Sequence, residues 1–244
     1  HVDDLKISHE DAKVVTTILN LLDAKYGQEV VGGERAALPI SRGRLHDYLG
    51  MTLDYSEPGH MKLNMVDYVD KILEEMPKDM DGTATSPAAE YLFKIIDGIK
   101  LLDDTNSGIF HATVAKLLFL CKRGRPDIQT AIAFLCTRVQ HPTQHDYNKL
   151  ARVIKYLRAT RQLVLRLSAD NLNIIKWWVD ASYGVHHDMR SHTGGTMSMG
   201  TGAFYSTSRR QKLNTKSSTE AELVGASDYV PNSLWAAQFL EKQG

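Results

Sequence analysis

"NIIKWWVDAS", residues 173–182, is a run of β-branched and aromatic residues that ends beside an aspartate. Such side chains pack well on a pleated surface, so the run is strand-like. The two tryptophans and the valine predict a buried strand, with Asp180 where the strand meets the next loop. A carboxylate placed there is costly unless it binds a cation or finds hydrogen-bond donors. "HTGGTMSMG" (192–200) and "AFYSTSRRQ" (203–211) read as further strands, and "KSSTEAELVGASDYV" (216–230) as a helix. Three strands followed by a helix predict a mixed α/β (α+β) arrangement.

That helix carries two candidate partners for Asp180. Glu220 and Glu222 lie about 200° apart around a helix, so they cannot share a target. Ser217-x-x-Glu220 fits a capping box, which gives Glu220 a structural task. Thr219-x-x-Glu222 fits as well, so capping favours Glu222 as the free carboxylate only slightly. Asp180 with one helical Glu would supply the sparse carboxylate ligation that magnesium prefers, with water and substrate phosphate completing its shell. Arg209, Arg210, Lys212 and Lys216 stand directly before the helix with no acid among them, as a phosphate-backbone site requires.

Charge is unevenly distributed. Residues 1–104 hold 20 acidic and 11 basic side chains, and residues 105–244 hold 9 and 18. A second part with excess positive charge suits a polyanion. Within it, "YNKLARVIKYLRAT" (147–160) predicts an amphipathic helix. Leu150, Val153, Ile154 and Leu157 form one face, while Lys149, Arg152, Lys155 and Arg158 fill the opposite arc and predict a phosphate-facing surface.

Upstream, "HVDDLKIS" (1–8) reads as a turn running into a strand. "HEDAKVVTTILNLLDAKYG" (9–27) reads as a helix with acids in its first turn and Gly27 closing it. "QEVVGG" predicts a short strand, "LHDYLGMTLDYSEPGHMKLN" (45–64) two strands around a Pro-Gly turn, and "MVDYVDKILEEM" (65–76) a helix. Pro, Gly, Asp, Thr and Ser cluster over 77–106, which predicts a linker. From Gly108 to about Thr160 the pattern reads as helical.

The 43% hydrophobic content suffices for a core. No run of 18 apolar residues is present, which argues against a membrane span. Cys121 and Cys136 lie in apolar stretches and form neither a disulfide framework nor a zinc set. His186 and His187 are adjacent and cannot easily share one ion, HExxH spacing is absent, and the serines near His192 make no nucleophile elbow. With no initiating methionine and no signal peptide, the chain reads as an intracellular piece of something longer.

Six blocks in order carry a resemblance: "HVDDLKIS", "YLGMTLDY…MKLNMVDYVDKIL", "KRGRPDIQTAIAFL", "HPTQHDYNKLARVIKYLRAT", "WWVDASYGVHHDMRSHTGG" and "RRQKLNTKSSTEAEL". Over nearly its whole length the chain resembles the Pol polyprotein of copia-type LTR retrotransposons, from the end of reverse transcriptase into ribonuclease H. The resemblance implies a partial palm with its primer-grip hairpin over 1–76, a linker over 77–106, a helical thumb and connection over 107–168, and a ribonuclease H-like domain over 172–244. "VDD" resembles the polymerase Y-x-D-D hairpin, which makes Asp3 and Asp4 metal-binding catalytic aspartates. "YLGMTL" resembles the primer grip and implies primer contacts at Leu49, Gly50 and Met51. Asp180 matches the first ribonuclease H aspartate, and the Leu-x-x-Ala pattern after "TEAE" favours Glu222 as the catalytic glutamate. The implied cofactor is magnesium in two-metal sites, with manganese as a substitute. The implied partners are primer–template and RNA–DNA hybrid, with dNTP in the intact parent, and the implied location is cytoplasmic, in virus-like particles.

Departures from the family pattern accompany the matches. His1 replaces an aromatic residue, and "SHTGG" replaces Ser-Thr-Ser-Gly. The third acid of each site is expected outside this chain, and Asp228, six residues after Glu222, does not match it. Pro231 predicts a break in the last helix. The expectation is therefore a fragment inactive as a polymerase, with a non-catalytic nucleic-acid-binding remnant or domesticated module as the alternative.

Overall fold

The computed structural model describes residues 4–29 and 35–243. Asp3 lies outside them. Residues 4–9 take no regular structure and Leu5 is exposed, so the strand expected in "HVDDLKIS" does not form. A strand needs a pairing partner, and none meets it among the described residues. Helix α1, Ala12–Tyr26, starts one residue after Asp11, whose carboxylate caps Lys13 N–H. Glu10 and Asp11 therefore precede the helix instead of occupying its first turn. Gly27 closes it by donating to Asp23 O at 2.8 Å. No side chain of α1 is buried. A short antiparallel ladder joins β1, Gln28–Glu29, to β2, Arg35–Ala36.

The next stretch forms three strands where two were expected. β3 (Leu45–Tyr48) and β4 (Met51–Asp54) meet at a two-residue turn, and β4 pairs in turn with β5 (His60–Asn64). Leu49 and Gly50 have φ of 50° and 73°. Two successive positive φ values match the primed hairpin turns whose twist suits antiparallel strands. A leucine there is strained, and Leu-Gly is not a recognisable signal for such a turn. Packing of Leu49 against the core offsets that strain. Helix α2, Val66–Glu74, follows Asn64, whose side chain accepts from Val66 N–H at 2.8 Å.

Residues 77–103 carry one short 3₁₀ turn, Lys78–Met80, and otherwise run as an irregular strap. The strap belongs to the core: Met80 is fully buried and Leu92 nearly so. Three helices follow, α3 (Asp104–Cys121), α4 (Gln129–Cys136) and α5 (Gln144–Ala159). Phe110, Leu117, Leu120, Ile128, Ile132, Leu150 and Ile154 are fully buried between them, the strap and the sheet. Thr143 and Asp146 cap α5 reciprocally, so its first turn is satisfied. The chain then returns as β6, Leu165–Ser168, which pairs with β5 and completes a four-stranded antiparallel sheet. This strand lies beyond the stretch to Thr160 that reads as helical but inside the helical thumb and connection that the resemblance implies over 107–168, and its Leu165 and Leu167 alternate with Arg166.

A second antiparallel sheet runs in the order β7 (Lys176–Ser182), β8 (His192–Ser198), β9 (Tyr205–Arg210). Helix α6, Ser218–Gln243, packs on one face against β7 and β8, while α4 packs against β9. Two glycines set the α6 contact. A Cβ on Gly195 would lie 2.2 Å from Tyr229, and one on Gly225 would lie 3.2 Å from Thr193. The break expected at Pro231 is absent: α6 is continuous. Proline leaves the carbonyl of Ser227, four residues earlier, without its helical donor. Both Ser227 and Pro231 are exposed, so water can satisfy that carbonyl.

A buried polar chain joins the second sheet to the rest. His186 Nε2 meets His192 Nδ1 at 3.0 Å, His192 Nε2 meets Ser208 Oγ at 2.7 Å, and Ser208 Oγ donates to Thr130 Oγ1 at 3.1 Å. Phe93 of the strap packs on both imidazoles, with ring centroids 4.8 and 5.0 Å away. Burial holds both histidines below their ordinary pKa, His192 at about 4.

Candidate functional site

The basic face of α5 does not form the phosphate-facing surface expected of it. It grips the strap. Lys149 is 3% exposed and donates to Lys94 O at 2.7 Å. Arg152 donates to Ser86 Oγ at 3.0 Å, and Arg158 donates to Met80 O and Gly82 O and pairs with Asp81. Lys155 lies over Gly82 and accepts Ala84 N–H through its carbonyl. A segment poor in regular structure leaves many carbonyls unpaired, and buried carbonyls need donors. Lys149 and Arg158 supply them. Burial lowers the Lys149 pKa to about 8, partly offset by Asp146 at 3.8 Å.

The "KRGRPDI" segment also turns inward. Arg125 is 2% exposed, forms a bidentate pair with Asp127, and donates to Thr160 O. At the first hairpin, Gly50 is exposed, Leu49 is half-buried against the core, and Met51 is buried within it. Asp4 is exposed in the irregular N-terminal stretch.

The C-terminal sheet brings Glu222 of α6 against the backbone of β7 next to Asp180. β7 is an outer strand, and its tryptophans are not buried as expected: Trp177 is 42% exposed and Trp178 56%. Trp177 stacks on Tyr229 of α6 at 5.7 Å, whereas Trp178 faces the side that α4 leaves open, since α4 covers β9. Strand alternation puts Asp180 on the same side as Trp178. Asp180 is exposed and lies two residues inside the strand end. The N–H of Ala181 points out of the ladder and donates to Glu222 Oε1 at 3.1 Å. The carboxylate of Glu222 thus sits on the peptide joining Asp180 to Ala181.

Glu220 has a different task. Its carboxylate accepts Lys216 N–H and its own N–H donates to Ser217 Oγ, closing the helix start. The two glutamates are therefore separated as the capping rule favoured. Of the four cations before the helix, Arg209 bonds Asp228 and Arg210 bonds Asp188. Lys212 and Lys216 are exposed.

Two exposed carboxylates on one strand edge suit a hard cation that keeps water in its shell. Ala181 occupies one oxygen of Glu222 and leaves the other open. Among the described residues no group of three His, Cys, Asp or Glu side chains gathers as a closed site would need. Cys121 is buried, with its thiol pKa pushed up to about 12, as expected of a small core residue. Sequence reasoning missed Gln211. This side chain is 1% exposed and donates through Nε2 to Thr193 Oγ1 and Ala221 O, each at 2.8 Å. As the last residue of the 203–211 stretch, beside Arg209, Arg210 and Lys212, it gave no signal of burial.

Known proteins place the whole chain. A putative transposon Ty5-1 protein of Saccharomyces cerevisiae is 24% identical over 94% of this chain and 71% of its own length. The retrovirus-related Pol polyproteins from transposon TNT 1-94 of Nicotiana tabacum and transposon RE1 of Arabidopsis thaliana are 22% and 24% identical over 100% of this chain. This chain is a relative of copia-type transposon Pol polyproteins. It spans 18% and 16% of the length of those two Pol polyproteins. No protein-family model and no solved structure matches this chain. No helix among its described residues is long and apolar enough to cross a membrane.

Proposed function

We propose that this Pol segment joins the end of a reverse transcriptase to the start of a ribonuclease H, and that Asp180 and Glu222 are two acidic ligands of the nuclease site. One observation carries the reading: Glu222, and not Glu220, is fixed on the peptide beside Asp180. Magnesium bound there would activate an attacking water and stabilise the leaving oxygen of a phosphodiester. The chain's own residues prepare the place. The N–H of Ala181 fixes one Glu222 oxygen. Asp180 adds a second oxygen donor from the adjoining residue. Lys212 and Lys216, exposed and flanking the helix start, are the cations free to meet phosphates. The substrate class is RNA paired to DNA, in which the 2′-hydroxyl marks the strand to be cut.

In the same reading, β3–β4 is the primer-grip hairpin, with Gly50 as its open tip. Asp3 and Asp4 belong to the polymerase site of the complete Pol protein, where primer–template and dNTP are substrates. The parent acts in the cytoplasm, in virus-like particles. The test is magnesium-dependent cleavage of the RNA strand of an RNA–DNA hybrid by the Pol protein containing this chain. Asp180→Asn and Glu222→Gln each abolish cleavage while hybrid binding persists, and Glu220→Gln retains it. Undiminished cleavage by Asp180→Asn would overturn the assignment, leaving a non-catalytic nucleic-acid-binding role for this segment.

A further inference from the structure

We infer that Gln211 is the positioning residue of the Asp180–Glu222 pair. Its amide nitrogen closes a ring of contacts that fixes where Glu222 meets β7. The ring starts at Glu222, whose Oε1 accepts Ala181 N–H at 3.1 Å. Ala181 stands opposite Thr193 in the β7–β8 ladder. Thr193 Oγ1 accepts from Gln211 Nε2, which also donates to the carbonyl of Ala221, the residue before Glu222. The backbone N–H of Gln211 donates to Ser191 O at 2.8 Å, so the residue itself is tied to the start of β8. Thr193 also lies against Gly225, one helical turn further along α6.

Burial makes this ring stiff. Gln211, Thr193 and Ala221 are each at most 1% exposed, so no water substitutes for the amide. Both useful bonds come from the single nitrogen, while Gln211 Oε1 is buried without a partner. A residue selected only to fill space would not place an amide here, because an orphaned buried acceptor is unfavourable. Gln211→Met keeps the length and removes that acceptor together with the two donors. Ala221 O retains its place in the helical bonding pattern, where Gly225 is its donor four residues on. The folded state therefore loses little, and the register of the first α6 turn against β7 loses its tie.

The inference rests on the proposed role of Glu222 for its consequence, but its test does not. Because the Ala181 amide points out of the ladder, its protection from hydrogen exchange reports the Glu222 contact. In the full chain, Gln211→Met speeds exchange at Ala181 by roughly fivefold to tenfold, the worth of one ordinary hydrogen bond. Amides of the β8–β9 ladder, such as Gly195 and Thr207, keep their rates. Glu222→Ala supplies the unprotected limit. Thr193→Val, which preserves shape beside Gly225, moves Ala181 in the same direction and serves if Gln211→Met does not fold. Unchanged exchange at Ala181 in a folded variant, or faster exchange spread evenly over the sheet, overturns the inference. A second readout is manganese affinity of the full chain, which falls in Gln211→Met with the fold intact. If Ala181 loosens but Asp180→Asn still cleaves hybrid, the positioning role stands and the nuclease reading fails.

Discussion

Lys149→Met tests the strap contact through pH. The ammonium is buried between α5 and the strap, and its pKa falls from 10.5 to about 8 because burial disfavours the charge. Asp146 opposes that fall without cancelling it. The sign follows from proton counts. Below about pH 8 both folded and unfolded chains hold the proton, so the penalty is constant. Between about 8 and 10.5 the unfolded chain holds a proton that the folded chain has released, so stability rises with pH. The whole rise is about 3 kcal/mol, the free-energy equivalent of the pKa difference. Methionine has no such proton, and Asp146 keeps Arg138 and Thr143 as partners. Denaturant unfolding of both proteins across this range gives stability by linear extrapolation. Groups common to the two proteins cancel in their difference. The wild-type minus variant stability then climbs by about 3 kcal/mol from neutral to strongly alkaline pH. A flat difference would mean that Lys149 is solvated, and that the strap does not cover the basic face of α5.

Acid should act on the second sheet in the opposite range. His192 is held at about 4 by burial first and His186 second, so the unfolded chain binds its proton first as pH falls below 6.5. Stability drops by about 3 kcal/mol between pH 6.5 and 4 from this group, and His192→Gln flattens that part of an acid-unfolding curve. Gly195→Ala places a methyl into Tyr229 and destabilises by about 1–3 kcal/mol, as other overpacked sites do. The double variant with Tyr229→Leu is more stable than Gly195→Ala alone in thermal unfolding. Removing both Lys212 and Lys216 weakens hybrid binding and reduces the slope of log affinity against log salt by about 1 per lost phosphate contact. Lys149→Met leaves that slope unchanged.

The last three strands and their helix were legible because their patterns are local. "HTGGTMSMG" carries the glycines that let Tyr229 approach, and Ser217-x-x-Glu220 marks where α6 begins. What failed was everything decided by a distant neighbour. Trp177 and Trp178 read as buried because aromatic runs usually are, yet only the placement of α4 and α6 decides what covers them. Lys149, Arg152, Lys155 and Arg158 were placed correctly on one arc of α5, but Lys149 and Arg158 bind strap carbonyls and Arg152 a strap hydroxyl, which no side-chain pattern reveals. Leu49 sits in a turn that favours Asn or Gly, tolerated because its side chain packs inward. Pro231 failed as a helix breaker where both it and Ser227, whose carbonyl it orphans, are exposed to water. Gln211, a lone amide beside basic residues at the end of the 203–211 stretch, carried no mark that set it apart from a solvated strand end.

The most direct measurement is a manganese titration of the chain followed by amide NMR line broadening. If Asp180 and Glu222 form one cation site, broadening begins at residues 180–182 and 221–223, and both sets lose it together in Asp180→Asn while the sheet remains folded. Broadening that spares these residues, or that survives Asp180→Asn unchanged, contradicts a shared metal site.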